Sequence, residues 1–98
     1  MLKKKFFKSK PTCQVTFELP EGIQAQKVSV VGDFNNWDEN TDRMKKVKQV
    51  WKATVELDKD QEYQFRYLLN DDNWVNDAEA DKSADTPFED ARNSVIVL

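Results

Sequence analysis

The sequence contains no histidine and only one cysteine, two glycines and three prolines among its 98 residues. Histidine is the commonest general base and the commonest protein ligand of metal ions. Its absence excludes Ser-His and Cys-His nucleophiles within these residues. The acidic stretch near the C-terminus lacks the order of oxygen ligands around a glycine that defines an EF-hand calcium loop. We therefore predict no metal site and no cofactor.

Targeting and membrane-spanning segments are also missing. Cys13 has no partner for an intrachain disulfide, which favours a reducing compartment, and we predict a cytoplasmic protein. Residues 1–8 are rich in lysine but lack the apolar run that a signal peptide needs. No other segment is long and apolar enough to span a bilayer, so we predict no membrane contact. The net charge of −3 argues against nucleic-acid binding, because phosphate affinity comes from accumulated Lys and Arg.

Charge is distributed unevenly along the chain. Five of the 15 basic residues lie within the first ten, whereas residues 71–90 contain eight carboxylates and a single cation, Lys82. We interpret both clusters as solvated surface.

The length fits one domain over residues 1–98, with residues 1–11 as a basic N-terminal segment. A glycosidase needs two carboxylates across a cleft, and a domain of this size leaves little room for one, so we predict no enzyme activity.

Alternation of apolar and polar residues with period two is the dominant pattern and predicts β-strands. Strands are predicted over residues 13–19, 28–32, 51–57, 63–69, 74–76 and 93–98. Residues 41–48 fit either one helical turn or a short strand, and we favour the strand. Turn-forming residues at 58–61 predict a hairpin between the third and fourth strands of this series. The residues expected to be largely buried are Val15, Phe17, Val28, Val30, Trp51, Val55, Phe65 and Val97.

Short strands separated by turns, without a sustained helical period, indicate an all-β protein. Six to eight strands in about 90 residues are typical of Ig-like domains. We therefore predict an Ig-like antiparallel β-sandwich of about six to eight strands.

Two tryptophans stand at positions where a polar turn would be sufficient. Trp37 follows the turn-forming residues 32–36, and Trp74 follows residues 70–73. A large apolar ring on an exposed loop usually packs against the protein or binds a ligand. An indole plane suits the apolar face of a glucose ring, but either tryptophan alternatively folds back to cover an end of the sandwich. Trp51, in contrast, begins an alternating strand and is predicted to be part of the core.

Six segments in sequence order together resemble a known family. They are residues 28–38 (Val-Ser-Val-Val-Gly-Asp-Phe-Asn-Asn-Trp-Asp), Met44, residues 51–57, residues 63–69, Trp74 with Asn76-Asp77, and residues 93–97. The pattern resembles carbohydrate-binding module family 48. This family includes the glycogen-binding domain of AMP-activated kinase β-subunits and the early-set domains of isoamylases, pullulanases and branching enzymes. The resemblance extends from about Thr12 to the C-terminus.

The resemblance implies a glucan site in which two tryptophans stack on sugar rings while a basic residue and an asparagine donate hydrogen bonds. The matching positions are Trp37, Trp74, Arg66 and Asn93. Arginine replaces the lysine that is usual in the kinase-type domains, and its planar fork also donates to hydroxyl groups. The strand pattern independently places Arg66 on the polar face of residues 63–69. The chain departs from the kinase-type domains just before Asn93, where Glu89 and Ala91 replace a leucine and a threonine.

Two functions are consistent with these observations. The first is non-catalytic binding of α-glucans, namely glycogen, starch or maltooligosaccharides. The second is a protein-interaction or scaffolding domain that docks on a separately encoded glucan-metabolising enzyme or kinase, because members of one fold family differ in function. Exposure of Trp37 and Trp74 on one shared surface favours the first. Burial of either ring, with an apolar patch elsewhere, favours the second.

Overall fold

A computed structural model describes residues 2–86 and 92–98. The described residues form nine strands and one short 3-10 helix at Asp33–Asn35. The strands are β1 (Leu2–Phe6), β2 (Thr12–Glu18), β3 (Val28–Gly32), β4 (Lys45–Val47), β5 (Val50–Asp58), β6 (Glu62–Leu69), β7 (Asn73–Val75), β8 (Lys82–Asp85) and β9 (Arg92–Val97). None of the described residues forms a helix with the length and hydropathy needed to cross a bilayer.

The strands are arranged in two sheets, and within each sheet every pair of hydrogen-bonded strands is antiparallel. The first sheet has the order β1-β2-β5-β4, and the second has the order β3-β6-β9-β8. Strand β7 also pairs with β6, beside residues 67–69, whereas β9 pairs beside residues 62–65. The predicted antiparallel β-sandwich is confirmed, although the described residues form nine strands where about six to eight were predicted.

The core lies between the inward faces of the two sheets. Its fully buried members include Cys13, Val15 and Phe17 from the first sheet, and Val28, Val30, Phe65, Tyr67 and Ile96 from the second. The rings of Phe17 and Phe65 meet edge to face with their centroids 5.1 Å apart. Burial of each such side chain contributes about 1.5–3 kcal/mol to folding. The faces predicted for residues 13–19 and 63–69 are the faces that the core uses, and Trp51 also belongs to the core as predicted.

Two of the residues expected to be buried lie elsewhere. Val97 is 40% exposed, because it pairs with Glu62 on the outer face of the second sheet while its neighbour Ile96 enters the core. A continuous apolar run does not reveal which of two adjacent residues points inward. Val55 is only half-buried, although it lies opposite Val15. Strand β4 pairs only with the first residues of β5, so Val55 lies at an edge of the first sheet.

The predicted hairpin between residues 51–57 and 63–69 is wrong. Strand β5 pairs with β2 and β4, whereas β6 pairs with β3, β7 and β9. The connection at residues 59–61 therefore passes from one sheet to the other, with Asp60 in a left-handed conformation at φ 64°. Alternation identifies the face that a strand buries, but it does not distinguish a hydrogen-bonded neighbour from a strand across the core.

The remaining local predictions concern short strands. Residues 45–47 form the strand that we favoured over a helical turn, and Met44 before it is buried. Strands β1 and β8 were not predicted. Strand β1 lies within the basic N-terminal segment, yet all five of its residues pair with β2. Its sequence is Leu-Lys-Lys-Lys-Phe. Because the lysines occupy both faces of the strand, the sequence does not show the alternation of apolar and polar residues that predicts a strand.

Candidate functional site

The outer face of the second sheet brings together residues from three strands. Residues directly opposite each other on antiparallel strands project from the same face. Arg66 is opposite Val31, and Trp74 is opposite Leu68, two residues further along β6. Asn93 lies on the same face as Val95, which is opposite Gln64. These pairings place the side chains of Gln64, Arg66, Trp74 and Asn93 together on the side of β6 that faces away from the core.

A shallow pocket of about 360 Å³ opens on this face. It is lined by Asp33, Trp37, Gln64, Arg66, Trp74, Thr86 and Asn93. All four site residues predicted from the sequence are therefore next to one another, although they are up to 56 positions apart in the chain (93 − 37). The departure from the kinase-type domains at Glu89 and Ala91 concerns positions that lie outside the described residues.

A tight turn after β3 carries Trp37 to the edge of the pocket. The buried side chain of Asn35 organises the turn: its Oδ1 accepts from the Gly32 N–H at 3.1 Å. Its Nδ2 donates to the Val30 carbonyl at 3.1 Å and to Asp42 Oδ2 at 2.8 Å. The Trp37 N–H then closes the turn on the Gly32 carbonyl at 2.9 Å. The amide group of Asn35 is therefore hydrogen-bonded through both its oxygen and its nitrogen, which stabilises the turn.

The conformation of Trp37 is unusual for its residue type. Its φ is 58°, in the left-handed region where a side chain is unfavourable. The indole Nε1 donates to Asp33 Oδ1 at 3.0 Å, and Asp33 Oδ2 accepts from the Gln64 backbone N–H at 2.8 Å. Asp33 thus ties the indole ring to strand β6. Strained backbone of this kind persists where surrounding contacts over-determine it, and it is concentrated at functional sites.

Trp74 reaches the same pocket from a hairpin. Asn70 and Asp71 adopt left-handed φ values of 53° and 70°, as expected of turn residues that replace glycine, and they connect β6 to β7. The Trp74 side chain is 42% exposed, and Trp37 is half-buried. Neither ring belongs to the core cluster, whereas Trp51 does. The alternative in which one of the two rings covers the end of the sandwich is not what the structure adopts.

Hydrogen bonds to β6 and β9 hold the two residues that follow β7, Asn76 and Asp77. The Tyr67 hydroxyl donates to Asp77 Oδ2 at 2.7 Å, and the Asp77 N–H donates to Ser94 Oγ at 2.8 Å. Ser94 Oγ donates in turn to Asn76 Oδ1 at 2.9 Å. Burial, together with the nearby Asp77 carboxylate, raises the pKa of the Tyr67 phenol, so it remains a protonated donor across the physiological range. This network attaches the end of β7 to β9.

Polar side chains form the floor of the pocket. Arg66 Nε donates to Asn93 Oδ1 at 2.5 Å, and Asn93 Nδ2 donates to Gln64 Oε1 at 2.8 Å. Asn93 is itself 9% exposed. The floor is therefore a row of hydrogen-bonded groups in a pocket that two tryptophans also line. Among the described residues, no group of three or more Cys, Asp or Glu side chains is arranged to hold a metal ion.

Three lining residues were not predicted from the sequence. Gln64 is two positions from Arg66 on the same strand, and the period of two in the sequence already places it on the same face as Arg66. Asp33 lies in a turn before Trp37, but its bond to the indole depends on the three-dimensional path of the turn. Nothing in the sequence distinguishes Thr86.

Comparison with known proteins gives a match to one protein family. No curated protein matches the chain significantly. The sequence model of the family described as Carbohydrate-binding module 48 (Isoamylase N-terminal domain) matches residues 23–82. The match includes Trp37, Arg66 and Trp74 and more than half of the chain. This chain belongs to carbohydrate-binding module family 48.

Proposed function

We propose that this protein binds α-glucans on the outer face of its second sheet and does not catalyse a reaction on them. The observation that supports the proposal most directly is the shared pocket of Trp37, Trp74, Arg66 and Asn93. Both indoles are accessible there, which is the arrangement expected of a binding surface rather than of a core.

The chemistry of the pocket suits a glucose polymer. Each indole presents an apolar plane to the axial C–H groups of a pyranose ring, and the polar floor donates to the hydroxyl groups around the ring. Arg66 retains its two terminal nitrogens as donors after Nε has bonded to Asn93. Each aromatic contact is expected to contribute about 1–2 kcal/mol. A short maltooligosaccharide should therefore bind with a Kd between roughly 1 μM and 1 mM.

The carboxylates near the pocket support a non-catalytic role. A glycosidase places two carboxyl groups about 5–10 Å apart on either side of the scissile bond. Asp33 is the single carboxylate among the described lining residues, and both of its oxygens accept hydrogen bonds from the protein. A group engaged in this way orients its neighbours and is poorly placed to act as an acid or a nucleophile.

Tryptophan fluorescence during titration with maltoheptaose tests the proposal. Because Trp51 is buried, a spectral change on sugar addition must come from Trp37 or Trp74. We expect saturable binding of maltoheptaose, with no comparable response to cellohexaose, and co-sedimentation with glycogen or amylose. Phe6→Ala is a suitable control, since Phe6 is an exposed aromatic residue that does not line the pocket. No response at millimolar maltoheptaose in a folded protein would instead favour a protein-interaction domain that docks on a glucan-metabolising enzyme.

A further inference from the structure

Three side chains on the pocket floor, Arg66, Asn93 and Gln64, form a hydrogen-bond relay in which each donates to the next. A guanidinium group donates hydrogen bonds and never accepts them. Arg66 Nε lies 2.5 Å from the Asn93 amide, so the atom of Asn93 that faces it must be the oxygen. The nitrogen of Asn93 then faces Gln64, and at 2.8 Å it requires an acceptor there. Gln64 consequently turns Oε1 toward Asn93 and leaves Nε2 for another partner.

The direction follows from chemistry as well as from the distances. If the Asn93 amide were reversed, its nitrogen would face Arg66 Nε and two donors would oppose each other. If only the Gln64 amide were reversed, two nitrogens would again be in contact. Side-chain amides are otherwise ambiguous, because oxygen and nitrogen have nearly the same shape. Arg66 removes this ambiguity for both amides in turn.

From this relay we infer that Gln64 is a further ligand-binding residue, whose Nε2 donates to an acceptor oxygen of the sugar, and that Asn93 is the positioning residue that orients it. The inference rests on the proposed function of the pocket. Gln64 lines the pocket, and its backbone N–H is bonded to Asp33, the residue that holds the Trp37 indole. Gln64 therefore lies between Trp37 and Arg66, where a bound sugar ring would rest.

The relay also indicates which ligand atoms the floor recognises. Gln64 Nε2 and the terminal nitrogens of Arg66 are all donors, and they project from positions two residues apart on one strand. Such a floor favours a ligand that presents several acceptor oxygens along one edge, as the hydroxyl and ether oxygens of a sugar do. A ligand edge made of donors would leave these nitrogens without partners.

The first experiment replaces the outward-facing nitrogen of Gln64 with oxygen and adds one negative charge. Gln64→Glu keeps an oxygen to accept from Asn93 and replaces the donor with a carboxylate oxygen of the same shape. We expect maltoheptaose affinity, measured by calorimetry, to fall about tenfold or more. Gln14→Glu makes the same change of charge at an exposed position on the outer face of the first sheet, and it should bind like the unmodified protein. Equal affinities of Gln64→Glu and the unmodified protein would overturn the ligand role of Gln64.

The second experiment tests the relay itself and needs no sugar. In the unmodified protein, NMR should show a protected Hδ2 proton of Asn93 and freely exchanging Hε2 protons of Gln64. Asn93→Asp places acceptors on both sides, so Gln64 must rotate to donate and its Hε2 signal should become protected. If Asn93 had only a structural role, the Gln64 signals would keep their exchange rates. Protected Gln64 Hε2 protons in the unmodified protein would refute the direction of the relay.

The two experiments separate the possible failures. If the unmodified protein does not bind maltoheptaose, the proposed function fails, and the sugar contact of Gln64 fails with it. The exchange measurements still decide whether Arg66 orients the two amides. If the protein binds maltoheptaose but the exchange pattern is reversed, the function stands and the relay is wrong.

Discussion

At the scale of single residues, the two tryptophans of the pocket differ in how their positions are maintained. Trp74 extends from a regular strand and is restrained mainly by the hairpin beneath it. Trp37 occupies a left-handed conformation that its Cβ disfavours, by about 1–2 kcal/mol for a residue of this kind. The bond from its indole to Asp33 and the turn closed on Gly32 offset this cost. The ring is therefore held in place at the expense of local backbone strain.

This difference leads to a prediction for Trp37. Trp37→Ala and Trp37→Gly both remove the ring, so each should weaken maltoheptaose binding about fivefold to thirtyfold. Glycine adopts the left-handed conformation without strain, so Trp37→Gly should be more stable than Trp37→Ala by about 1 kcal/mol. Urea denaturation compares the two variants. A lower stability of the glycine variant would mean that the φ of residue 37 is not held in the left-handed region in solution.

Trp74 provides a simpler case. Because its side chain is 42% exposed and outside the core, Trp74→Ala should change the free energy of unfolding by less than about 0.5 kcal/mol. Sugar affinity should fall about fivefold to thirtyfold, since one stacking surface is lost. Calorimetric titration and urea denaturation of the same sample separate the two effects. Loss of affinity together with a large loss of stability would show that the ring supports the fold rather than the ligand.

At the scale of elements, the turn after β3 depends on a close approach of two strands. Gly32 has an extended backbone at φ −171°, so its conformation does not require glycine. A Cβ atom at this position would nevertheless lie 2.4 Å from the Gln64 carbonyl oxygen and 2.8 Å from Phe65 Cβ. The missing side chain lets β3 lie close against β6 at the point where the Trp37 turn begins.

Two glycine variants test this explanation. Gly32→Ala should destabilise the protein by about 1–3 kcal/mol, because neighbouring backbone must move, and it should also weaken sugar binding by displacing the turn. Gly22→Ala is the comparison, since Gly22 has a φ of 89° and no atom within 4 Å of the added Cβ. Backbone strain alone should cost this variant about 1 kcal/mol, without an effect on affinity. Equal losses of stability with unchanged affinity in both variants would contradict the close-approach explanation.

At the scale of the whole molecule, ion pairs join elements that are distant in sequence. Lys4 Nζ in β1 lies 2.6 Å from Asp81 Oδ2, which also accepts from the Val97 N–H at 2.8 Å, so this contact connects the two sheets. Within the first sheet, Glu18 lies 3.1 Å from Lys3 and 3.7 Å from Lys52. Burial raises the pKa of both carboxyl groups, but the lysines and hydrogen bonds outweigh it, and each pKa is lowered.

The lowered pKa values predict acid sensitivity. Each carboxyl group stabilises the fold fully above its ordinary pKa, 4.5 for Glu18 and 3.8 for Asp81, and this contribution is lost as pH falls through the lowered folded value. Asp81→Asn should be about 1 kcal/mol less stable at pH 7 and should lose less stability than the unmodified protein on acidification below about pH 4. Urea denaturation between pH 7 and pH 2.5 measures this difference. Asp85→Asn, at a largely exposed carboxylate, is the control and should follow the unmodified protein.

The sequence predicts much of this architecture because burial of one face leaves a periodic trace. The strands at residues 13–19, 28–32 and 63–69 and the core position of Trp51 follow from alternation and residue type alone. Where the alternation is absent, prediction fails for a physical reason. Strand β1 has lysines on both faces, and the run ending at Val97 is apolar on both faces, so neither pattern reveals an inward side.

The sequence by itself determined the fold class, the family and the four residues of the proposed glucan site, because these depend on residue type and order. Only the tertiary structure decided that β5 and β6 lie in opposite sheets, since strand pairing depends on contacts across the core. Only the structure, likewise, placed Asp33 against the Trp37 indole and aligned Gln64, Asn93 and Arg66. Hydrogen bonds between residues up to 29 positions apart require particular distances and directions, and these exist only after the sheets have assembled.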